Sequence, residues 1–180
     1  MNASAFHRLL NTSKPAGLGP GPRSGVESIA SLNSAVDAAL KEVALDKRRS
    51  DLIRALILLW HDHLEAAHVI AQRHEEDADG SYVHAIVHRR EPDYSNAKYW
   101  FHRTRQHLAY AALADRAGEL LNDDAGLRGA LLPRGRWDAV AFVDACEEAA
   151  SLPEHDPRVC HLQAVQQAEF ENLLGSMLRK

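Results

Sequence analysis

Between His61 and His107 the chain reads HDHLEAAHVIAQRHEEDADGSYVHAIVHRREPDYSNAKYWFHRTRQH, and eight of the protein's eleven histidines fall inside it. Neutral imidazoles beside carboxylates can hold a transition-metal ion or move protons near neutral pH. The first half of the pattern is His61-x3-Glu65-x2-His68-x3-Gln72, whose offsets of four, three and four lie along one helical stripe. Glu65-Ala66-Ala67-His68 matches the Glu-x-x-His unit of carboxylate-bridged di-metal bundles. The chain has no second such unit, which argues against a ferritin-like di-iron centre. The second half is His84-Ala85-Ile86-Val87-His88, two imidazoles one helical turn apart. Ala85 stands where a zincin carries its glutamate, so the metalloprotease reading fails. Two antiparallel helices joined by a connection of about ten residues would bring the halves together. The expected metal ligands are then His61, Glu65, His68, His84 and His88. The ion would be divalent zinc or iron, with nickel and copper also compatible with the donors. Without metal, His61, His68 or Glu65 would serve as general base.

A third piece follows, Arg89-Arg90-Glu91-Pro92-Asp93-Tyr94-Ser95-Asn96 and then Lys98-Tyr99-Trp100. Guanidinium forks recognise carboxylates and phosphates at two points, and tyrosine, asparagine and tryptophan add directional bonds and a stacking wall. Gln72, Arg89, Arg90, Asp93, Tyr94, Asn96, Tyr99 and Trp100 are the expected contacts to a small polar or anionic ligand. The competing reading is an internal ion-pair network, Arg89 or Arg90 with Glu91 or Asp93, fixing the turn at Pro92. His63 and His74 fall on the apolar face and are expected to donate to backbone carbonyls. Arg134, Arg136 and Trp137 either line a pocket or anchor a loop.

The elements that must carry these groups are helical. Leu32, Val36, Leu40 and Val43 recur every three to four residues and predict a helix over 29–45. A long helix is expected over 49–74, starting near Ser50 or Asp51, with Leu52, Leu56, Leu59 and Trp60 inward. Its apolar residues run almost all round, so the polar stripe should face a pocket. The acidic turn 75–80 lacks the ligand spacing of an EF-hand loop. Further helices are expected over 81–90, 96–103 (capped by Asp93 or Ser95), 108–121, 137–149 and 158–178, with a loop or short helix over 126–136. No βαβ alternation, glycine-rich phosphate loop or repeat appears. The fold class is all-α, a bundle of about six to seven helices over residues 27–180. Residues 12–25, TSKPAGLGPGPRSG, hold four glycines and three prolines, and predict a mobile tail over 1–26.

At 180 residues and a formal charge of −4, the chain suits one domain and argues against general nucleic-acid binding. No apolar run has the length of a membrane span, and no continuous apolar run near the N-terminus reads as a secretory signal. Cys146 and Cys160 lack CxxC spacing and are expected to be reduced thiols in a cytoplasmic protein.

HDHLEAAHVIAQ and YVHAIVHRREPDYSNAKYWFHR together resemble a family of uncharacterised bacterial and fungal proteins. In that family a histidine-containing helix precedes an HAI-HRREPDY-NAKYWF block. The resemblance covers residues 60–107, about a quarter of the chain. It implies that this stretch is the family hallmark, and it brings no activity, cofactor or substrate. The expectation from the residues is a helical protein with a His/Glu/Arg-rich polar pocket, working either as a metal-dependent enzyme in hydrolytic or oxygen chemistry, or as a non-catalytic module that binds an anion, a metal or a partner protein.

Overall fold

A computed structural model of the chain describes residues 3–179. Met1 and Asn2, at the start of the expected tail, and Lys180, at the end of the expected domain, lie outside the described residues. The described residues form α-helices and no strand, so the all-α class holds. The helices are α1 (Ala3–Leu9), α2 (Ile29–Leu40), α3 (Lys47–Trp60), α4 (Leu64–Ala71), α5 (Ala78–Arg90), α6 (Tyr94–Thr104), α7 (Ala109–Leu120), α8 (Ala125–Leu131), α9 (Ala139–Ala149) and α10 (Pro157–Leu178). They outnumber the expected six to seven because the 49–74 helix is divided and because residues 3–9 and 125–131 each close a helix of their own.

Aspartates set most of the boundaries. Asp46, Asp77, Asp93, Asp124, Asp138 and Asp156 each accept a hydrogen bond from a backbone N–H in the first turn that follows. Such a cap satisfies donors that a helix start otherwise leaves unpaired. Asp46 therefore starts α3, ahead of the expected Ser50 or Asp51. Asp77 starts α5 inside the stretch expected to be a turn. Gly80 lies within α5 rather than ending a helix: a Cβ there would sit 2.0 Å from the His74 carbonyl oxygen, so only glycine permits this approach.

The core is built on α3, where Leu52 to Trp60 are buried with the exception of Arg54. α3 packs on α2, α4, α5 and α10, α5 packs along α6, and α7 lies on α10. The expected inward residues of α10, Val159, Leu162, Phe170, Leu173 and Met177, are all buried. Arg89 crosses this core without solvent exposure and grips Glu169 with both terminal nitrogens, at 3.1 and 2.5 Å. One of these nitrogens also donates to Gln166 at 3.2 Å, and Phe142 packs 4.4 Å from the guanidinium carbon.

The division of the 49–74 helix occurs at His61–His63. Asp62 has φ +65°, a left-handed conformation that no α-helix continues through. Arg90 stabilises the break by donating to Leu59 O at 2.5 Å and to Asp62 Oδ1 at 2.6 Å. Its remaining bonds go to Gly19 O, at 3.0 and 3.3 Å.

Order, expected from about Val26, extends back to Ala3. Phe6, Leu10 and Ala16 are buried. Trp60 donates to Thr12, Gln166 donates to the carbonyls of Ala16 and Gly17, and Arg23 pairs with Asp62. The Gly/Pro-rich composition does prevent a helix over 12–25. Side chains of the bundle satisfy its carbonyls instead, and they hold the strap in place.

Removing Glu169 would leave Arg89 charged and unpaired in the core, a loss of about 3–5 kcal/mol. Glu169→Ala should show this as a lower urea midpoint. A change below about 1 kcal/mol would contradict the description of this pair.

Candidate functional site

The helix break tips α4 so that its His68 meets α5. One nitrogen from each of His68, His84 and His88 lies within 4.8 Å of the other two. His68 Nε2 and His84 Nε2 face each other at 2.8 Å. The ring centroids of the three histidines are 4.7–4.9 Å apart. His84 is sandwiched, with His88 on one side and Trp100 of α6 stacked at 4.2 Å. His84 and His88 are buried; His68 keeps 18 % of its side chain exposed and opens the cluster to solvent.

Carboxylates stand behind all three rings. Glu91 places Oε2 3.4 Å from His88 Nδ1 and Oε1 3.7 Å from His68 Nδ1. Glu75 Oε1 is 3.6 Å from His84 Nδ1, beyond hydrogen-bonding length, and that buried nitrogen has no hydrogen-bond partner. On the Nε2 side, Gln72 Nε2 is 3.1 Å from His68 Nε2 and Asn96 Nδ2 is 3.1 Å from His88 Nε2. An imidazole nitrogen has one in-plane lone pair, so His68 Nε2 accepts from either Gln72 or His84, and the ring tautomers follow from that choice.

This geometry determines what the cluster can hold. Where His84 donates from Nε2 to His68, its Nδ1 carries a lone pair that faces Glu75. A cation held between the two Nε2 atoms would instead place the His84 proton on Nδ1, directed at Glu75. Histidine ligands to metals are commonly backed by carboxylates in this way. Nitrogens around a tetrahedral zinc are about 3.4 Å apart, so the ligand atoms need to shift by only a fraction of an ångström to a little over one. Burial, with neighbouring His88 and His68 adding to it, lowers the His84 pKa to about 3. Burial also lowers His88 and pushes Glu91 above the ordinary carboxylate range. His84 is therefore neutral at physiological pH, as a ligand must be.

Comparison of the chain with protein-family models, with curated proteins and with solved structures gives no match. The site's chemistry rests on its own atoms.

Of the expected metal ligands, the structure brings together His68, His84 and His88. His61 is placed elsewhere: its Nε2 donates to Leu9 O at 2.8 Å, its Nδ1 accepts from the Glu27 N–H at 3.2 Å, and both nitrogens are consumed. It caps α3, where the break turns it off the His68 stripe. Glu65 is exposed on the rim and acts on Glu91 through charge alone. Arg89 and Arg90 are fully buried on internal partners, Glu169 and Asp62 rather than Glu91 or Asp93, so neither reaches a ligand. Asp93 caps α6, with its Oδ2 3.9 Å from His88. Tyr94 packs against the core, Tyr99 is exposed, and Trp100 stacks on His84 rather than on a ligand. Gln72 and Asn96 border the cluster. His63 donates to the Glu27 carbonyl as expected, whereas His74 lies against Asp51. Glu75 and Glu91 were not among the expected site residues. Glu91 had a legible signal, three residues after His88 and hence on its helical face; Glu75 had none, because it lies in the turn ahead of α5 and not on a histidine's helical face.

Thiol nucleophiles are absent from this site. Burial pushes Cys146 up to about 12, and it lies in the core.

Because burial holds His84, His88 and His61 below the ordinary histidine value of 6.5, the unfolded chain takes up protons first as pH falls. Stability from these groups is complete above about pH 7 and is lost as pH drops through 6.5 toward 3. Asp46, held low by the Arg49 backbone N–H, contributes its own loss only below about pH 4. In EDTA, the urea midpoint should fall between about pH 7.5 and about pH 5.5, and less so in His84→Asn. Equal midpoints for the wild type would refute the buried neutral assignment.

Proposed function

We propose that His68, His84 and His88 bind one divalent transition ion, zinc or iron, and that the protein is a metal-dependent enzyme of hydrolytic type. The observation that carries this reading is the facing pair of Nε2 atoms at 2.8 Å, with carboxylates behind the rings and an otherwise orphaned His84 Nδ1. Three imidazoles with a further position open is a donor set used for catalytic zinc, and such an ion supplies a water with a pKa near about 7. The protein's own groups do the rest. Glu91 faces His88 Nδ1 at 3.4 Å and His68 Nδ1 at 3.7 Å, so its charge acts on both rings, and its raised pKa suits it to accept a proton from the solvent-facing side. Trp100 fixes the His84 ring and keeps water from its buried face. Clefts of about 490 and 410 Å³ run beside Glu75 and Glu91 and give a small polar substrate access to the rim. The two free cysteines fit a reducing, cytoplasmic setting.

A second reading, a non-catalytic metal-binding module, is favoured by one observation. The carboxamides of Gln72 and Asn96 already touch the cluster and can close the coordination sphere.

Elemental analysis of the untagged protein, or reconstitution with cobalt(II), tests the site. About one equivalent should bind, be lost in His68→Ala and His88→Ala, and be kept in His61→Ala. His61→Ala should instead cost about 1–3 kcal/mol of stability, because Leu9 O and the Glu27 N–H lose their partner. Binding that survives His68→Ala and His88→Ala would sink the proposal. Azide separates the two readings: a shift of the cobalt visible bands marks an open position, and unshifted bands mark the closed, non-catalytic module.

A further inference from the structure

The arginines expected to hold an anion are buried in internal pairs, yet a separate cleft, away from the histidine cluster, carries unpaired positive charge. We propose that the cleft between α7 and the segments around Arg105 and Arg136 binds a small molecule that joins an oxyanion, phosphate or carboxylate, to a flat ring.

The cleft has a volume of about 510 Å³ and is lined by Arg105, His107, Tyr110, Asp115, Arg136 and Trp137 among others. That volume falls within the range of small-ligand sites, about 300–1,000 Å³. Charge in it is positive on balance, since Asp115 is the single carboxylate lining it against two guanidiniums. Among the described residues, neither the Arg105 nor the Arg136 side chain has a hydrogen bond or ion pair. Of the other fourteen arginines among the described residues, nine have a carboxylate within 4.0 Å. Two unpaired guanidiniums lining one cleft offer an oxyanion two charged, multidentate donors.

The walls indicate the rest of the ligand. Trp137 is 8 % exposed, and its buried indole N–H has no hydrogen-bond partner, a vacancy that native interiors rarely leave. The Tyr110 hydroxyl is fixed on Thr104 at 2.5 Å, and His107 is fixed by Asp79 at 2.8 Å and by the Ala109 N–H at 3.1 Å. Trp137 packs on Phe142, and His107 and Tyr110 pack on Tyr82 and on each other, so the aromatic wall is rigid and pre-organised for a flat ligand. Arg105 itself is held at φ +53° and ψ −125°, outside the regions an ordinary side-chain-bearing residue adopts without cost. Such strain persists where surrounding structure enforces it, and ligand clamps are a common setting. The site is built from α6's end, α7 and the 133–137 turn, and it shares no lining residue with the histidine cluster.

Calorimetric titration in EDTA, which removes any metal from the histidines, tests the assignment. The probes are adenosine monophosphate, indole-3-carboxylate, adenosine and inorganic phosphate. At least one ring-bearing anion should bind saturably, and about tenfold more tightly than adenosine or phosphate alone. Whichever of the two binds identifies phosphate or carboxylate as the preferred oxyanion. Arg105→Ala and Arg136→Ala should each weaken that binding by about tenfold. Both arginines are exposed and unpaired, so melting temperature should not move. Trp137→Phe, which keeps the ring and removes the donor, should weaken it by a smaller factor. Absence of saturable binding by both ring-bearing anions up to about 5 mM, or binding indifferent to both arginine substitutions, would overturn the proposal.

Discussion

The buried pair of Arg90 and Asp62 is the contact on which the site's geometry depends. Neither side chain has meaningful exposure, and a charge taken out of water at that depth is tolerated only when every remaining donor and lone pair is occupied. Here they nearly are. Arg90 spends its fork on Asp62, Leu59 O and Gly19 O, while Asp62 also receives the backbone N–H and guanidinium of Arg23. Three segments distant in sequence therefore close on one carboxylate: the N-terminal strap, the α3–α4 break and the end of α5. Gly21 is part of the same closure, because a Cβ there would sit 2.8 Å from the Asp62 carboxyl carbon. With Asp62 held at positive φ, α4 leaves the axis of α3 and delivers His68 to His84.

Around that hinge the polar groups divide into two populations. Arg89, Arg90, His61 and His63 have their hydrogen-bonding capacity largely spent on internal partners, and they hold helices and strap together. His68, His84 and His88 are different. Their Nε2 atoms turn toward one another or toward side-chain amides, their Nδ1 atoms turn toward carboxylates, and one of those nitrogens is left without a partner. Desolvation keeps His84 and His88 neutral, so like-charge repulsion does not drive the rings apart at physiological pH. Under the proposed reading, a cation held by the three rings would complete this network by placing the His84 proton on Nδ1, toward Glu75.

The sequence carried the helix class and most of the core, because apolar periodicity is local: the inward faces of α3 and α10 could be read directly from residue spacing. The His84–His88 pair was legible for the same reason, two residues one turn apart on a helix without a break. His61 misled because the stripe assumed a continuous helix, and nothing in His61-Asp62-His63 announces a left-handed aspartate. That conformation is imposed by Arg90 and Arg23, which are 28 and 39 residues away. The arginines were read either as ligand-binding or as paired internally with Glu91 or Asp93; they are paired internally, but with Glu169 and Asp62, which lie too far along the chain for spacing to connect them. The strap was misjudged similarly: glycine and proline exclude a helix, but they do not exclude a non-helical segment whose carbonyls are met by Gln166 and Arg90.

X-ray absorption at the zinc edge of the zinc-loaded protein tests the central claim most directly. Three imidazoles as ligands predict a first shell of nitrogen or oxygen at about 2.0 Å, with the outer scattering pattern of three histidine rings and no sulfur. A sulfur shell at about 2.3 Å, or an all-oxygen shell without imidazole scattering, would contradict the claim that His68, His84 and His88 form the metal site.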